Sequence, residues 1–247
     1  MKKLLLYTLS VVCVILGACM VVAYHYYGKT NRQNIECTKV NINVVDSLQN
    51  SFVLADDVKK FISQEYKDCI GTAIDSLNLD TIEKILESKS AVLASEAHVT
   101  RNGTLNITVT QRKPIVRFIG RKNGYYADEY GRAFPLQSTY ASQVQSVDGH
   151  IPDITDTVCI GRIVTLVNFI ERSSDWRNKI VNISIDSTGN LTLIPRKGQE
   201  KFLFGQPDNI AAKMERMKLY YTSIIPATDS SRYTTVDLKY SGQIICK

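Results

Sequence analysis

Arg101-Asn102-Gly103, followed by Thr104-Leu105-Asn106-Ile107-Thr108-Val109-Thr110, decides the fold of the first half of this chain. Leu105, Ile107 and Val109 fall on one face and polar residues on the other, the period of a half-buried strand. Asn-Gly between two β-branched runs marks a hairpin, so Val92 to Thr100 is the partner strand. Pro114, at the end of Gln111-Arg112-Lys113-Pro114, closes the second strand. Upstream, Asp80-Thr81-Ile82-Glu83 has capping-box spacing, with Asp as the N-cap acceptor and Glu at N3. Ile82, Ile85 and Leu86 then line one face of a short helix. Asp56 to Lys67 carries Val58, Phe61, Ile62 and Tyr66 at helical spacing, and Val40 to Val44 alternates as a strand ahead of a loop at Val45 to Asn50. The order is β-α-α-β-β.

Ahead of this module, Leu4 to Ala23 is apolar, and no Asp, Glu, Lys or Arg occurs from Leu4 through Gly28. A helix rises about 1.5 Å per residue, so that run spans roughly 30 Å, the thickness of a bilayer core. Lys2 and Lys3 precede it. Tyr24, Tyr26 and Tyr27 follow, where amphipathic rings favour the membrane–water interface. The expectation is a cytoplasmic tail over residues 1–3, a single N-terminal transmembrane helix with its interface over 4–27, and a tether over 28–38. Two other readings stand beside it: a cleaved signal near Gly17-Ala18, and a lipobox at Leu16-Gly17-Ala18-Cys19 with Cys19 acylated. Both would have the chain turn polar sooner than it does, because Met20-Val21-Val22-Ala23 continues the apolar run. Lys29 and Arg32 sit on the proposed outer side, so the orientation rests on the rest of the chain being an exported folded domain.

The 247 residues carry a net charge of +6 without a dense basic block, which argues against nucleic-acid binding. Of six cysteines, Cys13 and Cys19 lie in the apolar run. Cys37, Cys69, Cys159 and Cys246 allow three pairings between which the sequence does not choose. No CxxC occurs and no His sits at ligand spacing from a Cys, so no structural metal is expected. The three histidines, His25, His98 and His150, belong to no nucleophile motif; GxSxG, SxxK and HExxH are absent, as is a phosphate-cradling glycine loop. The expectation is a protein with no enzymatic activity, cofactor or small-molecule substrate. Trp176, after Ser173-Ser174-Asp175, is read as a packing residue.

Downstream, Arg117-Phe118-Ile119 is a short alternating run. Asn123-Gly124-Tyr125-Tyr126-Ala127-Asp128-Glu129-Tyr130-Gly131-Arg132-Ala133-Phe134-Pro135-Leu136 then reads as two aromatic strands around a tight turn, with Gly131 supplying the left-handed residue. Pro152-Asp153-Ile154 leads to a helix from about Cys159 to Arg172, apolar at Ile163, Leu166, Val167 and Ile170. Strands follow at Ile180 to Ile185, Leu191 to Ile194 and Lys201 to Phe204. Pro207-Asp208 starts a second helix with Ile210, Met214, Met217 and Tyr221 on one face, stopped by Pro226. The last strand is Thr235-Val236-Asp237-Leu238-Lys239-Tyr240, with Ser241-Gly242-Gln243 and Ile244-Ile245-Cys246-Lys247 after it.

The β-α-α-β-β order ending in Gln111-Arg112-Lys113-Pro114 resembles a POTRA module, a small exported interaction domain. The pattern Tyr126-x-Asp128-x-x-Gly131-x-x-Phe134-Pro135-Leu136 behind it, then helix, strand meander, Phe204-Gly205 into a helix and Val236-Asp237-Leu238-Lys239-Tyr240, resembles the bacterial cell-division family FtsQ, DivIB in Gram-positive bacteria. The expected class is α+β: a POTRA-like domain at 39–114 and an FtsQ-like, mainly antiparallel β domain at 115–247 with two flanking helices.

A final strand is expected at a sheet edge, where unpaired N–H and C=O groups either need protection or receive a partner strand. Val236, Leu238 and Tyr240 would face one way, Asp237 and Lys239 the other. The projecting side chains would set register and partner choice, so Val236 and Leu238 are expected among the partner-binding residues. The resemblance implies FtsB-like and FtsL-like bitopic partners, with FtsB adding a strand near Lys239, Tyr240, Ser241 and Gly242, Tyr240 packing on an apolar residue and Lys239 pairing an acidic one. It also implies recruitment by the POTRA module and the membrane segment, in the inner membrane with the C-terminal domain periplasmic. Two departures stand: the family often has Arg where this chain has Lys239, losing bidentate pairing, and no Trp follows Gly242. The expected function is a divisome scaffold linked to septal peptidoglycan synthesis. The alternatives are a POTRA-bearing factor for envelope assembly or export that binds client strands, and an anchored envelope enzyme.

Overall fold

The computed structural model describes residues 12–25, 35–45, 52–121, 124–136, 140–227 and 233–247. Residues 12–25 form an exposed helix, α1. Among the described residues no helix is long and apolar enough to cross a membrane. The rest of the expected 4–27 span, the 1–3 tail, most of the 28–38 tether and the loop after Val45 lie outside them. The chain divides into two compact units, Met1–Ser47 with Val53–Gln111, and Leu48–Phe52 with Arg112–Lys247.

The first unit has the expected β-α-α-β-β order: β1 (Lys39–Val45), α2 (Ala55–Glu65), α3 (Leu79–Glu87), β2 (Val92–Val99) and β3 (Thr104–Gln111), with a 3-10 turn at Ile74–Ser76 between the helices. β3 is central, parallel to β1 and antiparallel to β2. Leu105, Ile107 and Val109 are buried, as are Val58 and Ile62 of α2 and Ile82 and Leu86 of α3. Each such side chain contributes about 1.5–3 kcal/mol on leaving water. Gly103 turns the hairpin at φ +78°, and any Cβ there would collide with the Glu36 carbonyl.

The α3 cap differs from the expected box. Asn78 is the N-cap, and its side chain accepts from the Thr81 N–H at 3.0 Å. Glu83 turns instead to the outer row of β2, accepting from the Ala97 N–H at 2.7 Å, and Glu87 accepts from the Ser95 N–H at 3.2 Å. A carboxylate facing an unpaired strand amide gains a charge-assisted bond that the helix start had already obtained from Asn78.

The second unit holds one nine-stranded sheet. Its strands are β4 (Pro114–Ile119), β5 (Gly124–Asp128), β6 (Ala133–Pro135), β7 (Gln145–Gly149), β8 (Ile180–Ile185), β9 (Leu191–Pro195), β10 (Lys201–Gly205), β11 (Thr235–Asp237) and β12 (Ile245–Cys246). Their spatial order is β12-β11-β10-β9-β8-β7-β4-β5-β6. Most pairs are antiparallel, but β4–β7, β7–β8 and β10–β11 are parallel. Parallel neighbours need a crossover. The two flanking helices supply two of them: α4 (Thr157–Arg172) carries the chain from β7 to β8, and α5 (Ile210–Leu219) from β10 to β11. Ile160, Ile163, Leu166, Val167 and Ile170 of α4 and Met214 and Met217 of α5 close over one core with Val147, Ile183, Leu193 and Phe202. Asp156 caps α4, accepting from the Cys159 N–H at 3.0 Å.

The β5–β6 turn shows why its motif has that spacing. Asp128 Oδ1 accepts from the Tyr130 and Arg132 N–H groups at 3.0 and 2.8 Å, while Oδ2 meets Arg112 at 2.9 Å. Gly131 takes φ +80°. Tyr126 and Phe134 are buried and pack on each other and on Phe52.

Candidate functional site

The C-terminal strands are positioned by alternation. Phe202 and Phe204 of β10 turn into the core, and Val236 of β11 and the following Leu238 join them, all fully buried. Val236 and Leu238, expected to project toward a partner, therefore pack inside their own domain. The expected strand to Tyr240 ends at Asp237. Leu238 N–H makes a last rung to Leu203 O at 3.0 Å, and Arg216 of α5 donates to Leu238 O at 2.7 Å. Asp237 Oδ1 then accepts from the Lys239 N–H at 2.9 Å, which turns the chain.

Residues 239–242 are the turn between β11 and β12. Tyr240 is half exposed. Ser241 is exposed, as is Gly242, whose φ of +75° reverses the chain with nothing near a notional Cβ. Lys239 is seated by its own chain. A Cβ on Gly205 would lie 2.6 Å from its Cγ, so that glycine makes room for the lysine stem. The ammonium lies 3.3 Å from Asp237 Oδ2 and 5.9 Å above the Tyr240 ring centroid. An acidic partner must compete with Asp237 for it.

The edge itself lies one strand further on than expected. β11 is bracketed by β10 and β12, with Val236 opposite Cys246 and Asp237 opposite Ile245. Lys247 N–H donates to Thr235 O at 2.9 Å, and Thr235 N–H to Lys247 O at 3.0 Å. Antiparallel pairing alternates, so the N–H and C=O of Cys246 point away from β11, out of the sheet. The signal was present in the sequence: Ser241-Gly242 separates two apolar runs, and Ile244-Ile245-Cys246 is the returning strand. Two residues are too few for periodicity to show.

Beneath this edge Tyr220 is buried, its ring edge-on to Phe202 at 5.3 Å, and its hydroxyl has no hydrogen-bond partner among the described residues. Burial, and then Glu200, push that hydroxyl up to about 12. The helical spacing named Tyr221 for this face. Tyr220 shares that face three residues after Met217 and is fully buried, while Tyr221 packs beside it against the core and donates to Glu200 at 2.8 Å, where a π turn at Tyr220–Ile224 ends the regular helix. Burial also raises the Cys246 thiol.

All six cysteines are free thiols. Cys159 shares a cleft with His150, Asp156 and Arg162, but its hydrogen bond to Asp156 raises the thiol, opposite to activation. Among the described residues no three His, Cys, Asp or Glu side chains form a metal-holding group.

A family model described as FtsQ/DivIB, C-terminal related, matches residues 113–247, and one described as a POTRA-like domain matches residues 35–110. No curated protein matches the chain.

Proposed function

This chain belongs to the FtsQ/DivIB C-terminal related family, and on that premise we propose that it is a bitopic, non-enzymatic cell-division scaffold that captures a partner strand at β12. In this reading α1 is part of a single span through the inner membrane. The N-terminus is cytoplasmic, and the POTRA-like and C-terminal domains are periplasmic, enriched at the division site. The partners are FtsB-like and FtsL-like bitopic proteins, which connect the chain to septal peptidoglycan synthesis.

The observation that carries the proposal is the outward-facing Cys246 backbone of β12, at the end of the family domain's sheet. Backbone pairing there supplies affinity. The adjoining turn supplies side chains: Tyr240 offers an exposed ring, and Lys239 a cation already oriented by Gly205 and Asp237. Val236 and Leu238 act indirectly, by holding β11 and so the register of β12.

Depletion in the native bacterium, with an N-terminal fluorescent fusion imaged in parallel, tests the role. Midcell signal with filaments or chained cells on depletion is expected. Dispersed envelope signal with normal septation and defective envelope assembly would replace this role with that of an assembly or export factor. Tyr240→Ala is expected to abolish capture of an FtsB-like protein in pull-down, and unchanged capture would remove the turn from the site.

A further inference from the structure

A second candidate surface lies three strands in from β12, at the far end of β9. A cavity of about 390 Å³ opens there between the turn after α4, the end of β9 and the end of α5. Its floor is apolar. Trp176 and Met217 are buried core residues that nonetheless line it, and Tyr221 stands beside Trp176 with ring centroids 6.3 Å apart. Its rim is cationic: Lys179, Arg196, Lys197 and Lys218 come from three separate elements. Asp175 is the one carboxylate among the lining residues, and Lys218 already holds it at 2.7 Å.

The cations are placed by the backbone. Asn178 adopts φ 59°, a left-handed conformation that Asn tolerates better than most side chains. Its carbonyl accepts from Arg196 Nε at 2.8 Å, and the Arg196 N–H donates to Lys179 O at 2.7 Å. The turn after α4 is thereby fastened to the end of β9, and Lys179, Arg196 and Lys197 stand exposed around one opening. No carboxylate among the described residues forms an ion pair with these three.

We propose that this groove binds an acidic segment of a partner polypeptide, seating a bulky apolar side chain on Trp176 and Met217 while flanking carboxylates meet Lys179, Arg196 and Lys197. The volume is within the range of ligand pockets and suits one or two bulky side chains. Three cations without an ion-pair partner among the described residues, Lys179, Arg196 and Lys197, call for several carboxylates beside one apolar anchor. An amphiphile with a single carboxylate satisfies only one of the three. Charge complementarity of this kind sets partner choice and association rate more than raw affinity.

Trp176 is the chain's single tryptophan, so its fluorescence reports the groove directly. The test uses the full chain in lipid nanodiscs with three probes: the N-acetylated peptide Glu-Asp-Leu-Phe-Glu-Glu, the same peptide with Gln and Asn replacing its acids, and dodecanoate. The acidic peptide is expected to shift Trp176 emission saturably. The neutral peptide, and the acidic peptide on a Lys179→Glu, Lys197→Glu variant, should bind at least tenfold more weakly. Both lysines are exposed, and unchanged circular dichroism of the variant confirms its fold. Tyr240→Ala should leave this binding intact, which separates the groove from the β12 edge. Equal binding of the two peptides, indifference to charge reversal, or no response at millimolar peptide overturns the proposal. Saturable dodecanoate binding without peptide binding overturns it as well, in favour of an anionic amphiphile.

Discussion

Replacing Cys246 with proline probes the β12 edge with the least collateral damage. The Cys246 N–H faces away from β11, so proline removes no bond among the described residues of the domain. An edge position whose N–H faces solvent is where sheets accept proline. Across the proposed interface the change deletes one backbone donor, about 0.5–1.5 kcal/mol net, and leaves a partner carbonyl unsatisfied, about 1–3 kcal/mol. A total of about 1.5–4.5 kcal/mol corresponds to roughly 10- to 1,600-fold weaker binding. Cys246→Val keeps the amide and serves as the control. Isothermal titration of the full chain in nanodiscs with the FtsB-like protein of the same organism measures both. The expected result is a large loss for proline, little change for valine, and similar melting temperatures for all three proteins. A folded proline variant that binds as tightly as the parent would refute strand addition at β12, whatever the partner.

Three further outcomes follow from the geometry. Glu83→Ala should destabilise the first unit by about 1.5–3 kcal/mol, the worth of a charge-assisted bond to a strand amide, and should speed hydrogen exchange at Ala97 above all other β2 amides. Asp128→Ala removes the carboxylate that Arg112 meets at 2.9 Å, and both side chains are nearly buried. Losing one member of such a pair destabilises by about 3–5 kcal/mol, read as a lower denaturation midpoint in urea. Hydrogen bonds from Thr188, then Asn190, hold the Asp186 carboxyl down at about 2 against an ordinary 3.8. Its contribution is complete above the unfolded value and is lost as pH falls through the folded one. Melting temperature should therefore drop between about pH 4 and pH 2, and Asp186→Asn should flatten that part of the profile.

The sequence showed most of the architecture because its signals were long or chemically specific. Thr104–Gln111 alternates over a whole strand. Asp128 and Gly131 fix a turn by hydrogen bonding and left-handed backbone. The missed features were short or set by tertiary contact. Asp80 and Asn78 are both sound N-cap residues, and nothing local says that Glu83 will be taken by β2. Tyr221 fits the helical period and packs against the core, but Tyr220, three residues after Met217, fits it equally and is the one fully buried. At the site, Lys239, Tyr240, Ser241 and Gly242 do sit together in one exposed turn. Val236 and Leu238 share a face with Tyr240 in the alternation of Val236-Asp237-Leu238-Lys239-Tyr240, and that alternation alone does not tell a core face from a partner face. Only the contacts of Arg216 with Leu238 and of Asp237 with Lys239 reveal where the strand stops.

The two glutamates of α3 have a consequence for crowding. A sheet that passes from one molecule to the next must enter each copy at one side and leave at the other. In the first unit Glu83 and Glu87 occupy the outer amides of β2, so a strand arriving there meets carboxylates where it needs open donors. In the second unit the side opposite β12 is β6, three residues long and ending in Pro135, which has no amide to give. Each sheet is thus a chain stopper rather than a link. Strand pairing through either sheet by itself halts at two copies, so neither sheet can run on as one continuous sheet through many crowded copies.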